Sequence, residues 1–62
     1  DQIRLAQDAA YKFMTAMAGN LANYEEALRA LYAKDAKKFQ AFTADWPKDI
    51  RDHSLRLAKA AF

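Results

Sequence analysis

One stretch of the sequence decides where the last helix of the chain begins, and it reads Trp46-Pro47-Lys48-Asp49-Ile50-Arg51-Asp52-His53. It holds the only tryptophan, the only proline and the only histidine of the chain. The ring of Pro47 is excluded from a helix interior, whereas its fixed φ angle suits the first position of a helix. The stretch therefore predicts a helix over residues 47–61, with a boundary directly before it.

The rest of the chain has the spacing of helices as well. Apolar residues recur at intervals of three and four, and alanine is abundant. Gly19 predicts a left-handed end to a first helix, Asn23 with Glu26 predicts a capping box for a second, and Asp35 predicts the N-cap of a third. The predicted fold is all-α, a compact bundle of about four short helices over residues 2–18, 23–33, 36–44 and 47–61. A single helix over 24–44 is the alternative for the middle of the chain.

Each predicted helix has one apolar stripe that is expected to face the core. On the first helix the stripe comprises Ile3, Ala6, Ala10, Phe13, Met14 and Met17. On the second and third helices it comprises Tyr24, Ala27, Leu28, Leu31, Ala36, Phe39 and Phe42, with Trp46 as a lid whose N–H needs one partner. On the fourth it comprises Ile50, His53 or Ser54, Leu57 and Ala61.

The length of the chain limits its core. A chain of 62 residues forms one helical domain, and domains of this size bury only about 60% of their unfolded surface. There is no cysteine to form a disulfide, which fits a cytoplasmic protein, and no apolar run is long enough to span a membrane. Because the chain begins with Asp1 instead of methionine, we expect it to be a fragment of a longer protein.

Asp49, Asp52 and His53 form the only combination of carboxylates with an imidazole in the chain. A catalytic zinc ion usually takes three protein ligands, and an acid or base needs a nucleophile or substrate pocket beside it. The ordinary roles are Asp49 at the positive end of the helix dipole, Asp52 paired with Arg56, and His53 at the edge of the core. The sequence thus predicts no enzyme, no catalytic residue, no metal, no cofactor and no small-molecule substrate.

The surplus of large apolar residues points to protein partners. Not all of them fit on one face of each helix, so we expect some to lie on the surface, and the candidates are Leu5, Tyr11, Leu55 and Phe62. The sequence predicts a non-catalytic interaction or structural module. Its expected partner is a segment of its parent protein or a second copy of the chain.

The alternative is a small nucleic-acid-binding module, for which the net charge of +2 is permissive. In a helix-turn-helix arrangement the helix over 36–44 would enter the groove. The candidate contacts are Lys34, Lys37, Lys38 and Gln40. Against this alternative, the turn has no glycine, and Asp35 and Asp45 flank the short helix with charges that phosphate repels.

Three segments carry a family resemblance. They read Ala10-Tyr11-Lys12-Phe13-Met14-Thr15-Ala16-Met17-Ala18-Gly19-Asn20-Leu21, Tyr24-Glu25-Glu26-Ala27-x-x-Ala30-Leu31-Tyr32-Ala33-x-Asp35 and Trp46-Pro47-x-Asp49-Ile50-Arg51-Asp52-His53-x-Leu55-Arg56-Leu57-Ala58. Over residues 8–58 the chain resembles the C-terminal part of domain-of-unknown-function family 2239, whose members are longer bacterial proteins. The resemblance implies a bacterial source and a preceding N-terminal portion. It implies no catalytic or binding residue.

Overall fold

The computed structural model describes every residue, Asp1–Phe62, and contains four α-helices and no strand. The helices are α1 (Gln2–Ala18), α2 (Tyr24–Tyr32), α3 (Ala36–Thr43) and α4 (Lys48–Ala58), and a 3₁₀ turn over Lys59–Ala61 follows α4. The predicted all-α bundle of four short helices is confirmed. Because α2 and α3 are separate helices, the alternative of one helix over 24–44 is wrong.

The helices pack as two pairs. α1 lies mainly against α4 and the 3₁₀ turn, whereas α2 lies mainly against α3, and a smaller contact joins α1 to α2. The pairs share one core in a body of 29 × 20 × 17 Å. The first pair joins helices from opposite ends of the chain, and the second joins neighbours in sequence.

Two aspartates cap helices through their side chains. The Asp35 carboxylate accepts the backbone N–H of Lys38 at 3.1 Å, as predicted for the start of α3. The Asp1 carboxylate accepts the backbone N–H of Arg4 at 2.8 Å at the start of α1. Each bond satisfies one of the N–H groups that have no partner within the first turn of a helix.

The connection between α1 and α2 differs from the prediction. Gly19 is right-handed, with φ −57°, so the predicted left-handed end at this residue is wrong. A Cβ atom here would lie 3.0 Å from the Thr15 carbonyl oxygen, a close approach that favours glycine. The left-handed residue is Asn23, with φ 67°, and its side chain makes no capping bond, so the predicted capping box with Glu26 is also wrong. Asn23 turns the backbone itself, a conformation that asparagine tolerates.

The connection between α2 and α3 is a Schellman motif. The N–H of Lys34 donates to the Leu31 carbonyl at 3.2 Å, and the N–H of Asp35 donates to the Ala30 carbonyl at 2.9 Å. Lys34 is left-handed, with φ 60°, at the position that glycine usually occupies. The chain therefore reverses within three residues although it has no glycine there.

Alanine dominates the core. Of the eleven buried apolar residues, the large ones are Met14, Leu31, Phe39 and Trp46. The other seven are Ala6, Ala10, Ala18, Ala27, Ala30, Ala58 and Ala61. Small side chains allow the helices to approach closely, but each contributes little apolar area.

The buried line of α1 is rotated from the predicted stripe. It includes Gln7, whose side-chain amide donates to the Leu31 carbonyl at 3.5 Å. Met17 is 53% exposed and Ile3 is 38% exposed, so the prediction that both face the core is wrong. The residues of α1 that face the core are therefore Ala6, Gln7, Ala10, Met14 and Ala18.

Two aromatic residues join the helix pairs. Trp46 is buried, and its indole N–H donates to the Ala22 carbonyl in the α1–α2 connection at 2.8 Å. The predicted core position of Trp46 and its single partner are confirmed. Phe39 is completely buried, and its ring centroid lies 5.4 Å from that of Phe62. The first contact links the α3–α4 connection to the α1–α2 connection. The second links α3 to the residue that follows the 3₁₀ turn.

Two hydroxyl groups are buried in the core. The Thr43 hydroxyl donates to the Phe39 carbonyl at 2.9 Å, one turn earlier in α3. Ser54 is completely buried, and its hydroxyl has no partner. Ser54 therefore takes the core position on α4, whereas His53, Ile50 and Leu57 are half-buried.

Replacing Ser54 with alanine is expected to stabilise the domain by about 1 kcal/mol. The variant removes a buried hydroxyl whose desolvation is not compensated, and alanine also favours the helix. Urea denaturation followed by circular dichroism measures the difference. Thr43→Val, which removes a hydroxyl that does have a partner, should give no such gain. A loss of stability in Ser54→Ala would show that the Ser54 hydroxyl is bonded in solution.

Candidate interaction surface

Six large apolar side chains are exposed, and α1 carries four of them. They are Ile3, Leu5, Tyr11, Met17, Tyr32 and Phe62. Leu5, Tyr11 and Phe62 were predicted to be on the surface, and all three are exposed. Leu55, the fourth predicted member, is instead half-buried and packs against the core. We call these exposed side chains the candidate surface. α1 carries most of it, but on more than one side, because Leu5 lies about 120° around the helix from Tyr11 and Met17 at about 100° per residue.

Leu5 is the most exposed of these residues, at 68%. It lies one turn into α1, on the side of the helix that faces away from the core, and its neighbours Arg4, Asp8 and Ala9 are exposed as well. An isolated exposed leucine is common on protein surfaces. Leu5 is a candidate contact residue here because the charged side chains of Arg4 and Asp8 lie beside it.

A tyrosine pair lies between α1 and α2, on a different side of α1 from Leu5. The ring centroids of Tyr11 and Tyr32 are 6.5 Å apart, with a tilt of 60° between the rings. Partial burial raises the pKa of the Tyr32 hydroxyl above its usual value of 10.0, and the carboxylate of Asp8 raises it further. The hydroxyl therefore stays protonated at ordinary pH and can donate a hydrogen bond.

Tyr32 is not among the exposed residues predicted from the sequence. The two tyrosines belong to different helices, and only the smaller contact between α1 and α2 brings them together. On α2, Tyr32 follows Leu31, a member of the predicted apolar stripe. This position beside the stripe was the one sequence signal that Tyr32 could be exposed. The pair widens the candidate surface from one helix to two.

A groove of about 430 Å³ lies between the start of α1 and the end of α2. It is lined by Asp1, Ile3, Arg4, Gln7, Asp8, Tyr32 and Lys34. Two carboxylates and two cations thus share one groove, and no salt bridge forms among them. The groove is open, and the charges of its side chains are balanced.

The lysines proposed for nucleic-acid contact do not form one basic strip. Lys34 lines the groove just described, whereas Lys38 lines a second groove of about 260 Å³ between α2 and α3. Each groove also contains two acidic side chains, Asp1 and Asp8 in the first, and Glu26 and Asp35 in the second. Lys37 and Gln40 are exposed on α3. The positive potential of Lys34 and of Lys38 is therefore offset locally by carboxylates.

The acidic residues and the histidine of the Trp46–His53 stretch have structural contacts. Asp52 pairs with Lys48 at 2.7 Å and with Arg51 at 3.5 Å, so the predicted pairing with Arg56 is wrong. Both aspartate oxygens are engaged by cations that precede it on α4. The hydrogen bond from Lys48 lowers the pKa of the Asp52 carboxyl. Asp49 lies in the first turn of α4, as expected.

His53 packs against an aromatic ring. It is half-buried at the edge of the core, as predicted, and its ring centroid lies 4.3 Å from that of Phe13 on α1. The two rings are tilted by 47° and hold α4 against α1. No three histidine, aspartate or glutamate side chains come together in a group that could hold a metal ion.

The comparison with protein families gives one match, over residues 1–58 of the chain. The matching model is described as an uncharacterised protein conserved in bacteria, DUF2239. No curated protein and no solved structure matches the chain. None of the helices combines the length and the apolar character that crossing a membrane requires.

Proposed function

We propose that this chain, which belongs to the bacterial family DUF2239, is a non-catalytic helical interaction module. It binds another protein surface through the apolar side chains around α1, and its partner is a segment of its own longer protein or a second copy. The proposal involves no cofactor and no small-molecule substrate. It places the module in the bacterial cytoplasm, where disulfides are rare, and the chain has no cysteine to form one.

The distribution of apolar side chains carries the proposal. Seven of the eleven core residues are alanines, while six large apolar residues are exposed. A monomer selected only for its own stability would bury the larger side chains, because each contributes about 1.5–3 kcal/mol when removed from water. Docking against a partner would bury those on the contacted side and would stabilise the folded state by mass action.

The nucleic-acid alternative rests on the connection between α2 and α3. Two short packed helices joined by three residues have the connection length of a helix-turn-helix. The carboxylates in both lysine-containing grooves weigh against it, since phosphate binding depends on unopposed positive charge. We therefore keep it as the second candidate.

Photo-crosslinking in the natural protein tests the first candidate. A photoreactive phenylalanine analogue placed at Leu5 should crosslink to a defined protein segment, either within the same protein or in a second copy. The same analogue at Lys37, exposed on α3 and outside the apolar surface, is the matched control and should react mainly with water. Mass spectrometry of the crosslinked peptides identifies the partner segment.

Equal, unspecific crosslinking at both positions would contradict the interaction module. In parallel, fluorescence anisotropy with duplex DNA tests the alternative. Binding that weakens steeply as salt rises, with a flatter slope when Lys37 and Lys38 are both replaced by alanine, would transfer the assignment to nucleic acid. Absence of binding at low salt would exclude the alternative.

A further inference from the structure

The exposed side of α1 carries a row of alternating charges. Asp1, Arg4, Asp8 and Lys12 follow one another at intervals of three or four residues, so they lie along one stripe of the helix. All four are exposed. The salt bridges of the chain are those of Asp52 with Lys48 and Arg51 on α4, so no member of this charge row forms a salt bridge. The Asp1 carboxylate also caps α1 through the Arg4 N–H.

The charges of this row are complementary to those of a second, antiparallel copy of the same row. Read from Asp1 it runs negative, positive, negative, positive, and an antiparallel copy presents the opposite sign at each place. In that alignment Arg4 faces Asp8 of the second copy, Asp8 faces Arg4, and Asp1 faces Lys12. A parallel copy in register would instead place like charges side by side, which is unfavourable.

Leu5 lies next to the centre of such an arrangement. Arg4 and Asp8 are about 6 Å apart along the helix axis, and the midpoint between them falls at position 6. Around a two-fold axis at this point the two copies of Leu5 come into contact with each other, and the exposed Ala9 leaves room for the helices to approach. The most exposed apolar side chain of the molecule would thus be buried between charge pairs.

We propose that α1 binds antiparallel to α1 of a second copy of this chain, around a two-fold axis beside Leu5 and with reciprocal Arg4–Asp8 pairs. This inference rests on the proposed function and selects the second copy as the partner. The charge row favours this choice because it is complementary to itself. A second copy provides both Arg4–Asp8 pairs automatically, whereas an unrelated segment would need matching charges at each position.

The size of the surface sets the expected affinity. A stable dimer buries about 800 Å² per partner, a large part of the 4217 Å² of this small molecule. α1 is only about 25 Å long, at 1.5 Å per residue, so contact along this helix supplies less than that area. The dimer should therefore be weak, with a dissociation constant in the micromolar range or above.

A charge-reversal cycle tests the proposal by sedimentation equilibrium. Arg4→Asp or Asp8→Arg alone should weaken dimerisation by about tenfold or more, because each places like charges opposite each other twice around the axis. The double variant restores opposite charges at both places and should return to within about threefold of the original affinity. Lys37→Asp, the same charge change in the first turn of α3, is the matched control and should have no effect.

Circular dichroism of each variant verifies that α1 stays helical. A chain that is monomeric up to about 1 mM, or dimers that persist unchanged in both single variants, would overturn the proposal. These results differ from a failure of the proposed function itself. A monomer that still crosslinks at Leu5 to another segment of its own protein would refute the dimer and support the interaction module.

Discussion

Phe39→Ala is expected to remove most of the stability of the domain. Phe39 is completely buried, and truncating such a residue costs about 3–5 kcal/mol. A domain of this length has about 3–9 kcal/mol in total, at roughly 0.05–0.15 kcal/mol per residue. The variant also loses the ring contact with Phe62, which joins α3 to the end of the chain. Urea denaturation followed by circular dichroism measures the loss.

Phe62→Ala is the matched control for Phe39→Ala. It makes the same chemical change on the other side of the same ring contact, but Phe62 is 40% exposed. We expect a loss of about 1 kcal/mol, since less apolar area leaves the interior. Equal losses in the two variants would show that Phe39 is not the centre of the core.

Trp46→Ala is expected to have the second large effect, a loss of about 3–5 kcal/mol. The variant removes a buried ring and the hydrogen bond from its indole N–H to the Ala22 carbonyl. That bond ties the α3–α4 connection to the α1–α2 connection, so both helix pairs should loosen together. Thermal unfolding by circular dichroism measures the change, because the variant has no tryptophan fluorescence.

Trp46→Phe separates the two contributions. It keeps an aromatic ring in the core and removes only the indole donor and part of the volume. We expect a loss of about 1–2 kcal/mol, the range for one hydrogen bond with some lost packing. If Trp46→Phe is as unstable as Trp46→Ala, the hydrogen bond to Ala22 dominates over the burial of the ring.

Local signals explain why the helix boundaries were predictable. Asp35 caps α3 through its side chain as predicted, whereas Pro47 is the N-cap of α4, one position before the first helical residue, Lys48, and not that first residue itself. The conformation of Gly19 and Asn23 was not predictable in the same way. Which of them adopts positive φ depends on how α1 and α2 must lie relative to each other.

The candidate surface was only partly predictable because it depends on how the helices are oriented. The exposure of Leu5 and Tyr11 follows from the helical period of α1. The half-burial of Leu55 was not predictable, because it depends on packing against the core and not on spacing within α4. The tyrosine pair and the separation of Lys34 from Lys38 arise between elements, and no spacing within one helix contains that information.

The pairing of the first helix with the last has a consequence for synthesis on the ribosome. α1 leaves the ribosome before the other three helices, but its main packing partner α4 emerges only after α2 and α3. The α2–α3 pair contacts over a short stretch of chain and can close early, whereas the α1–α4 pair must close a long loop. Until then the buried line of α1, from Ala6 to Ala18, is open to water and to other nascent chains.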